Sequence, residues 1–114
     1  MERELKVIQD FYDFILWLLG HIGKFPRDHR FSLGAAMENR LRRILELLLR
    51  AKYSRRKAEY LNDANIELEI LRFQLRLAKD PRIMPLKSHG HAAGLIQSIG
   101  AQIGGWLASK GGAG

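Results

Sequence analysis

The clearest structural signal in the chain is the stretch of residues 55–79, RRKAEYLNDANIELEILRFQLRLAK. Its apolar residues recur every three or four positions, which is typical of an amphipathic helix. At 100° per residue they form two stripes that lie roughly 150° apart around the helix. The first stripe, the predicted core, comprises Leu61, Ala64, Leu68, Leu71, Leu75 and Ala78; the second comprises Ile66, Ile70, Phe73 and Leu77.

The second apolar stripe predicts self-association. A helix in a small monomeric bundle needs one buried face, so a second apolar face requires cover from another subunit. Leu47 and Leu49, in the preceding segment, add to this surplus of apolar surface. A single wide core face is the alternative, but the wide separation of the stripes argues against it. We therefore expect a homo-oligomer whose interface contains the second stripe.

Three other segments follow the same helical period. The first runs from Glu2 to Ile22 and ends before Pro26, which disfavours helical dihedrals at Phe25. The second is predicted to start at a Ser32 cap and to end near Tyr53, and the fourth begins after Pro85. Their predicted apolar rows are Leu5, Ile8, Phe11, Tyr12, Ile15, Leu18, Leu19 and Ile22; Met37, Leu41, Ile44, Leu45 and Leu48; and Ala92, Leu95, Ile96, Ile99, Ile103 and Trp106.

These segments predict an all-α protein that folds as an antiparallel up-down four-helix bundle. No segment has the period of two that is typical of strands, and short connections make neighbouring helices antiparallel. Ser54 is expected to cap the third helix, which stops before Pro81. One domain is predicted over residues 1–109, with a disordered tail over 110–114. The alternative fold is a long hairpin of helices two and three with the chain ends packed elsewhere.

The fourth predicted helix is intrinsically weak. It contains Gly94, Gly100, Gly104 and Gly105, and each glycine costs about 1 kcal/mol relative to alanine. Gly100 and Gly104 would permit close approach of a neighbouring helix; the alternative is that this Ala/Gly/Ser-rich surface has been altered. The sequence leaves both interpretations open.

The composition limits the kinds of chemistry and the location. The 114 residues include no cysteine, which excludes disulfides, thiolate nucleophiles and cysteine zinc sites and suits a reducing cytoplasm. The first ten residues, MERELKVIQD, lack the features of an export signal. The charge-free stretch of residues 88–109 is too polar to span a bilayer. We expect a cytoplasmic protein without a membrane partner.

Positive charge is concentrated in one block. The chain has 19 Lys and Arg against 12 Asp and Glu, a net charge of +7, and residues 40–57 alone have a net charge of +7. A second basic row, Arg72, Arg76 and Lys79, lies between the two apolar stripes of helix three. Guanidinium groups bind phosphate by charge and by forked hydrogen bonds, so a polyanionic partner is predicted. The alternative is that cationic helices merely keep the chain soluble. No known nucleic-acid-reading motif accompanies the block, so binding should be weakly sequence-specific.

No set of residues supports catalysis. His89 and His91 would point to different sides of a helix, and His21 and His29 flank a Gly/Pro loop, so no metal site is expected. Asp10 and Asp13 share a helix face without a histidine near them in sequence. Neither a G-x-S-x-G motif nor a phosphate-binding glycine loop is present. The sequence predicts a protein that is not an enzyme, has no catalytic residue and uses no cofactor.

The first predicted helix and three further stretches together resemble a known family. The three stretches are KFPRDHRFSLG (24–34), ENRLRRILELLLRAKYSRRKAEYLNDAN (38–65) and IGGWL (103–107). The pattern is similar to the accessory variability determinant (Avd) proteins of diversity-generating retroelements, within a bacterial four-helix-bundle group that includes proteins encoded in 23S rRNA intervening sequences. The most specific element is F-P-x-x-x-R-F-x-L-G, from Phe25 to Gly34. Ala35 and Ala36, and the low charge after Ser88, depart from the family pattern.

The resemblance implies a barrel-like homopentamer of four-helix bundles with a basic surface. It further implies that the protein binds RNA or DNA and the element's reverse transcriptase, and supports mutagenic retrohoming without being the polymerase. A self-assembling scaffold, native or engineered, whose basic surface is incidental is the alternative function. The basic positions carried over from the family are Arg43, Arg50, Arg55, Arg56, Arg72, Arg76 and Lys79.

Overall fold

Four long helices make up nearly all of the computed structural model, which describes residues 2–111. No strand occurs within that range. A helical turn, Arg27–His29, and a π-helical turn, Arg30–Gly34, lead directly into the second helix. The long helices are α1 (Arg3–Ile22), α2 (Ala35–Tyr53), α3 (Lys57–Lys79) and α4 (Leu86–Gly111).

The helices pack as an antiparallel up-down bundle, and this confirms the predicted fold. Each helix contacts the next one along the chain, and α4 closes the bundle against α1. Consequently α1 and α3 lie at opposite corners, as do α2 and α4. The bundle measures 46 × 22 × 22 Å, so the helices run along its length. The alternative hairpin, with the ends of the chain packed elsewhere, is wrong.

Three of the four predicted core rows are confirmed. Every residue of the first α3 stripe, from Leu61 to Ala78, is buried. In α2 and α4 the predicted rows are also buried, except that Leu45 and Leu95 are half-buried. Leu47 was expected to add to the exposed apolar surplus, but it is only 2% exposed. It lies on the buried side of α2 together with Ile44 and Leu48, so only Leu49 is part of the surplus.

The predicted core face of α1 is partly wrong. Leu5, Tyr12 and Leu19 are exposed, whereas Val7 and Phe14 are buried. The reason is that α1 is apolar on two faces, and a 3.6-residue period fits either of them. Packing selects the face with the two phenylalanines, so the buried row is Val7, Phe11, Phe14, Leu18 and Ile22.

The connection between α1 and α2 is helical where a loop and a cap were expected. Phe25 is buried, and Pro26 precedes the first helical turn. The Ser32 hydroxyl donates a hydrogen bond of 3.1 Å to the carbonyl oxygen of Asp28, so Ser32 lies within a helical segment and does not cap α2. A Cβ on Gly34 would lie 2.9 Å from Cγ2 of Ile22, so any other residue at this close approach between α1 and α2 would require a shift of the neighbouring atoms.

The remaining boundaries are close to the predicted ones. Ser54 Oγ accepts a hydrogen bond of 2.9 Å from the backbone N–H of Arg56, in the turn that leads into α3. The α4 helix continues to Gly111. Of the tail that was predicted over residues 110–114, residues 112–114 lie outside the described residues. Gly100 approaches α3 closely, since a Cβ there would be 3.3 Å from Nη2 of Arg72. Gly104 has no such contact.

Within residues 2–111, none of the helices combines the length and the apolar character that crossing a membrane requires.

Candidate nucleic-acid interface

Six of the seven predicted basic residues, all except Arg43, divide into two groups at opposite ends of the bundle. Arg50, Arg55 and Arg56 lie where α2 turns into α3, and we name them the turn cluster. Arg72, Arg76 and Lys79 lie toward the other end of α3, and we name them the α3 row. Twenty residues separate Arg56 from Arg76, which corresponds to about 30 Å of helix. The structure therefore does not bring the two groups together on one chain.

The turn cluster presents guanidinium groups to solvent. Arg50 Nε donates a hydrogen bond of 3.1 Å to Oε2 of Glu46, and this bond raises the pKa of Arg50. Arg56 Nε lies 3.5 Å from Oε2 of Glu59. Arg55 has no carboxylate oxygen within 4.0 Å among the described residues. Both ion pairs are exposed, and each joins residues three or four positions apart. Such pairs hold their side chains only weakly, so the guanidinium groups remain able to bind phosphate.

Several cations of the 40–57 block have structural partners instead. Arg40 is hydrogen-bonded to Glu67 of α3, and Nε of Arg43 lies 3.9 Å from the second oxygen of that carboxylate. Lys52 Nζ lies 3.5 Å from Oε2 of Glu2. Lys57 Nζ donates to the carbonyl oxygens of residues 51 and 52, at 2.9 Å each, and so caps α2. The charge available to a ligand is therefore smaller than the sequence count of this block.

Two residues of the α3 row, Arg72 and Arg76, line the groove between α3 and α4. Arg72 Nη1 lies 3.2 Å from Oε2 of Glu69, and Lys79 Nζ lies 3.5 Å from Oδ1 of Asp80. Arg76 has no carboxylate within 4.0 Å in the part of the chain that the structure describes, and its guanidinium lies 5.2 Å from the centre of the Phe73 ring. This residue is thus the least neutralised cation of the row.

His89 joins the α3 row, although sequence reasoning considered it only as a metal ligand. It is half-buried on α4 and lines the groove beside Arg72 and Arg76. Burial lowers its pKa, and the charges of Lys79 and Arg76 lower it further, while the Asp80 carboxylate opposes them. Because α4 packs antiparallel to α3, its first turn meets the last turns of α3; only the fold reveals this neighbourhood.

Exposed aromatic rings accompany cations at both ends of the bundle. Tyr53 is 79% exposed, with Lys52 Nζ 5.5 Å from its ring centre. Phe31 is 74% exposed, with the guanidinium of Arg30 at 6.0 Å. Aromatic faces beside cations are the surfaces on which single-stranded bases stack. Neither ring is among the site residues predicted from the sequence, although each is adjacent to its cation in the sequence.

Two apolar surfaces remain exposed on the single chain. The second α3 stripe is solvent-exposed as predicted, at 61% for Ile66, 37% for Ile70, 54% for Phe73 and 61% for Leu77. The other surface lies mainly on the opposite helix, α1, and consists of Leu5, Tyr12, Leu16 and Leu19, with Leu49 of α2.

Two further histidines and Asp10 make contacts within the bundle. His21 and His91 both pack against Trp17, with ring centres 4.1 and 4.9 Å from its ring, while His89 faces α3. Asp10 accepts hydrogen bonds from Lys6 and Gln102, and these bonds, that of Lys6 first, lower its pKa. Among the described residues, no group of three or more His, Asp or Glu side chains is placed to hold a metal ion.

Comparison with known proteins identifies the family. Residues 5–110 match the model of the family described as bAvd-like, and the match includes all four helices. The chain therefore belongs to the bAvd-like family, which confirms the predicted resemblance and agrees with an accessory role of the Avd type. No curated protein matches the sequence.

Proposed function

We propose that this protein is a non-enzymatic accessory subunit of a diversity-generating retroelement that binds nucleic acid and associates with the reverse transcriptase during mutagenic retrohoming. The observation that carries the proposal is the family match over residues 5–110. The exposed cations at both ends of the bundle support the nucleic-acid part of the proposal. In this role the polymerase performs the chemistry, and the accessory subunit holds RNA or cDNA near it.

The turn cluster is the first contact that we assign to nucleic acid. Arg50, Arg55 and Arg56 are exposed, and each guanidinium offers forked hydrogen bonds that match phosphate oxygens. Contacts of this type read the backbone, so RNA and DNA of different sequences should bind about equally. Arg43 is a weaker contact in this proposal, because part of its charge is directed to Glu67.

Self-association is the second part of the proposal. The second α3 stripe and the apolar surface of α1 lie at opposite corners of the bundle, so a copy that uses one surface can offer the other to the next copy. Such head-to-tail contacts are heterologous and generate closed rings when the rotation permits. We propose a barrel-like homopentamer with Ile66, Ile70, Phe73 and Leu77 in the interface. With bundles parallel to the ring axis, the turn clusters would form one basic rim and the α3 rows the other.

The proposal is tested by fluorescence anisotropy of labelled single-stranded RNA and DNA across a salt titration. Each neutralised phosphate contributes about −0.7 to the log-log salt slope on single strands, so a repeated patch gives a slope of several units. Co-purification with the reverse transcriptase encoded beside the gene tests the second partner. A slope near zero, together with no co-purification, would favour the alternative of a self-assembling scaffold.

A further inference from the structure

A small groove lies between α3 and α4, beside Arg72 and Arg76 of the α3 row. It has a volume of about 190 Å³, and its walls differ sharply in character. The floor is apolar and the rim is cationic. The floor consists of Leu75, Ala93 and Ile96, and the rim of Arg72, Arg76 and His89.

The size of the groove limits what it can hold. Pockets for drug-sized ligands have volumes of about 300–1,000 Å³, so this groove has room for one planar ring system and not for an extended molecule. Because Leu75 and Ile96 are buried, the floor is fixed by the core of the bundle. A ring that lies on this floor would have its substituents next to the rim.

The charge of the rim selects an anionic substituent. Arg76 has no carboxylate within 4.0 Å among the described residues, and Glu69 contacts only one edge of the Arg72 guanidinium. Asp80 is paired with Lys79 and leaves the rim positive overall. A flat apolar body with an adjacent negative charge is the chemistry of a nucleotide.

We propose that this groove takes one unpaired nucleotide of a single-stranded nucleic acid, with the base over Ala93, the exposed residue of the floor, and the phosphate between Arg72 and Arg76. The inference rests on the proposed function and adds a preference to it. A base within a duplex is stacked and paired and cannot enter such a groove, whereas single strands offer free bases. The turn cluster binds phosphate charge, which single strands and duplexes share. The groove also requires a free base, so it distinguishes single strands from duplexes.

His89 couples binding to protonation. The charged groups that act on it are Lys79, Asp80 and Arg76, at the end of α3, and Arg72 of α3 lines the same groove. Its titratable neighbours along α4 are Lys87 and His91. Burial and the two α3 cations keep the pKa of His89 low in the free protein. A phosphate on the rim supplies the opposing negative charge, which favours the imidazolium. A phosphate at the rim should therefore raise the pKa of His89, so that binding is accompanied by proton uptake at this residue.

The first test fills the groove without changing its charge. Ala93→Leu places a larger side chain on the floor at an exposed helix position, and Ala108→Leu makes the same change near the far end of α4. The measurement is the affinity for a single-stranded DNA oligonucleotide and for a duplex of equal length. For A93L we expect the single-strand affinity to fall at least about fivefold, the lower end of what one stacked base contributes, with the duplex affinity unchanged. A108L should match the parent.

The second test measures the proton uptake that accompanies binding. Calorimetric titration of the parent with the single-stranded oligonucleotide, in two buffers of different ionisation enthalpy, should report proton uptake that His89→Gln abolishes. NMR titrations that follow the His89 resonance compare deoxyadenosine monophosphate, deoxyadenosine and inorganic phosphate. Only the nucleotide has both a base for the apolar floor and a phosphate for the cationic rim. Of the three ligands, the nucleotide should shift the His89 resonance at the lowest ligand concentration.

The outcomes separate this inference from the proposed function. If the parent binds oligonucleotides but A93L keeps the same ratio of single-strand to duplex affinity, the groove holds no base and the inference is wrong, while the proposed function stands. If inorganic phosphate binds as well as the nucleotide, the rim is a general anion site and the inference is also wrong. If the parent binds no oligonucleotide at low salt, both fail together.

Discussion

The carboxylate of Glu67 on α3 accepts a hydrogen bond from the guanidinium of Arg40 on α2, across the interface between the two antiparallel helices. Both side chains are largely removed from solvent, and the same carboxylate lies within 3.9 Å of Arg43. The pair links α2 to α3. It also removes one cation of the basic block from any role at the surface.

Replacing Glu67 should destabilise the bundle. Glu67→Gln keeps the size of the side chain and removes its charge, so Arg40 loses a charge-assisted bond and remains partly buried; we expect a loss of about 1–3 kcal/mol in the free energy of unfolding. Glu46→Gln is the matched control, because its pair with Arg50 is exposed and should contribute less than about 1 kcal/mol. Urea denaturation measures both. Equal effects would mean that the Arg40–Glu67 pair adds no stability of its own.

Charging the second α3 stripe should dissociate the proposed assembly. The double change Ile70→Asp and Phe73→Asp puts two carboxylates on an exposed surface and leaves the buried stripe untouched, so light scattering should show a monomer whose circular dichroism remains helical. Asn39→Asp with Gln97→Asp adds the same charge at exposed positions of α2 and α4, outside both apolar surfaces. A parent protein that is monomeric at micromolar concentration would contradict the prediction, and loss of all helicity in the variant would mean that the faces are assigned wrongly.

His89 should make the fold less stable in mild acid. Its pKa is lowered in the folded protein, so below the unfolded value of about 6.5 the unfolded chain binds this proton more readily. Stability is therefore full above that value and falls as the pH drops through the lowered folded pKa. His89→Gln should reduce the pH dependence of the free energy of unfolding, measured by urea denaturation between pH 5 and 8. His29→Gln, at an exposed position, should leave this pH dependence unchanged. If the free energy of unfolding of the parent protein does not change over this pH range, the lowered pKa of His89 is contradicted.

Gln74 should be replaceable by an apolar residue with a gain in stability. Its side chain is 9% exposed, and its Oε1 has no hydrogen-bond partner among the described residues. Gln74→Leu removes an unsatisfied polar group and keeps nearly the same volume, so we expect a gain of about 1 kcal/mol. Gln97→Leu, at an exposed position of α4, should give no comparable gain. If thermal unfolding shows Gln74→Leu to be destabilising, this amide has a partner that the fold of one chain does not reveal.

The sequence predicted the helices, the bundle and both faces of α3, because the two α3 stripes are well separated in angle and only one of them can face a small core. It did not predict which face of α1 is buried, since Leu5, Tyr12 and Leu19 fit the helical period as well as Val7 and Phe14 do. Only the packing against α2 and α4 distinguishes the two faces.

The candidate site was predicted in its residue types and not in its arrangement. Residues 40–57 are close in sequence but extend along α2, and acids from distant segments, Glu2 and Glu67, take part of their charge. The contribution of His89 depends on α4 packing antiparallel to α3. Neither relationship has a local signal in the sequence.

The most direct test of the account is the salt dependence of nucleic-acid binding by a variant of the turn cluster. Arg50→Ala, Arg55→Ala and Arg56→Ala together remove three exposed guanidinium groups, and Lys6→Ala, Lys24→Ala and Arg27→Ala remove three exposed charges elsewhere. The account predicts that the turn-cluster variant binds all sequences more weakly and has a log-log salt slope shallower by about two to three units, while the control triple resembles the parent and the mass of the assembly is unchanged. A turn-cluster variant that binds RNA and DNA as tightly as the parent across the titration would contradict the account.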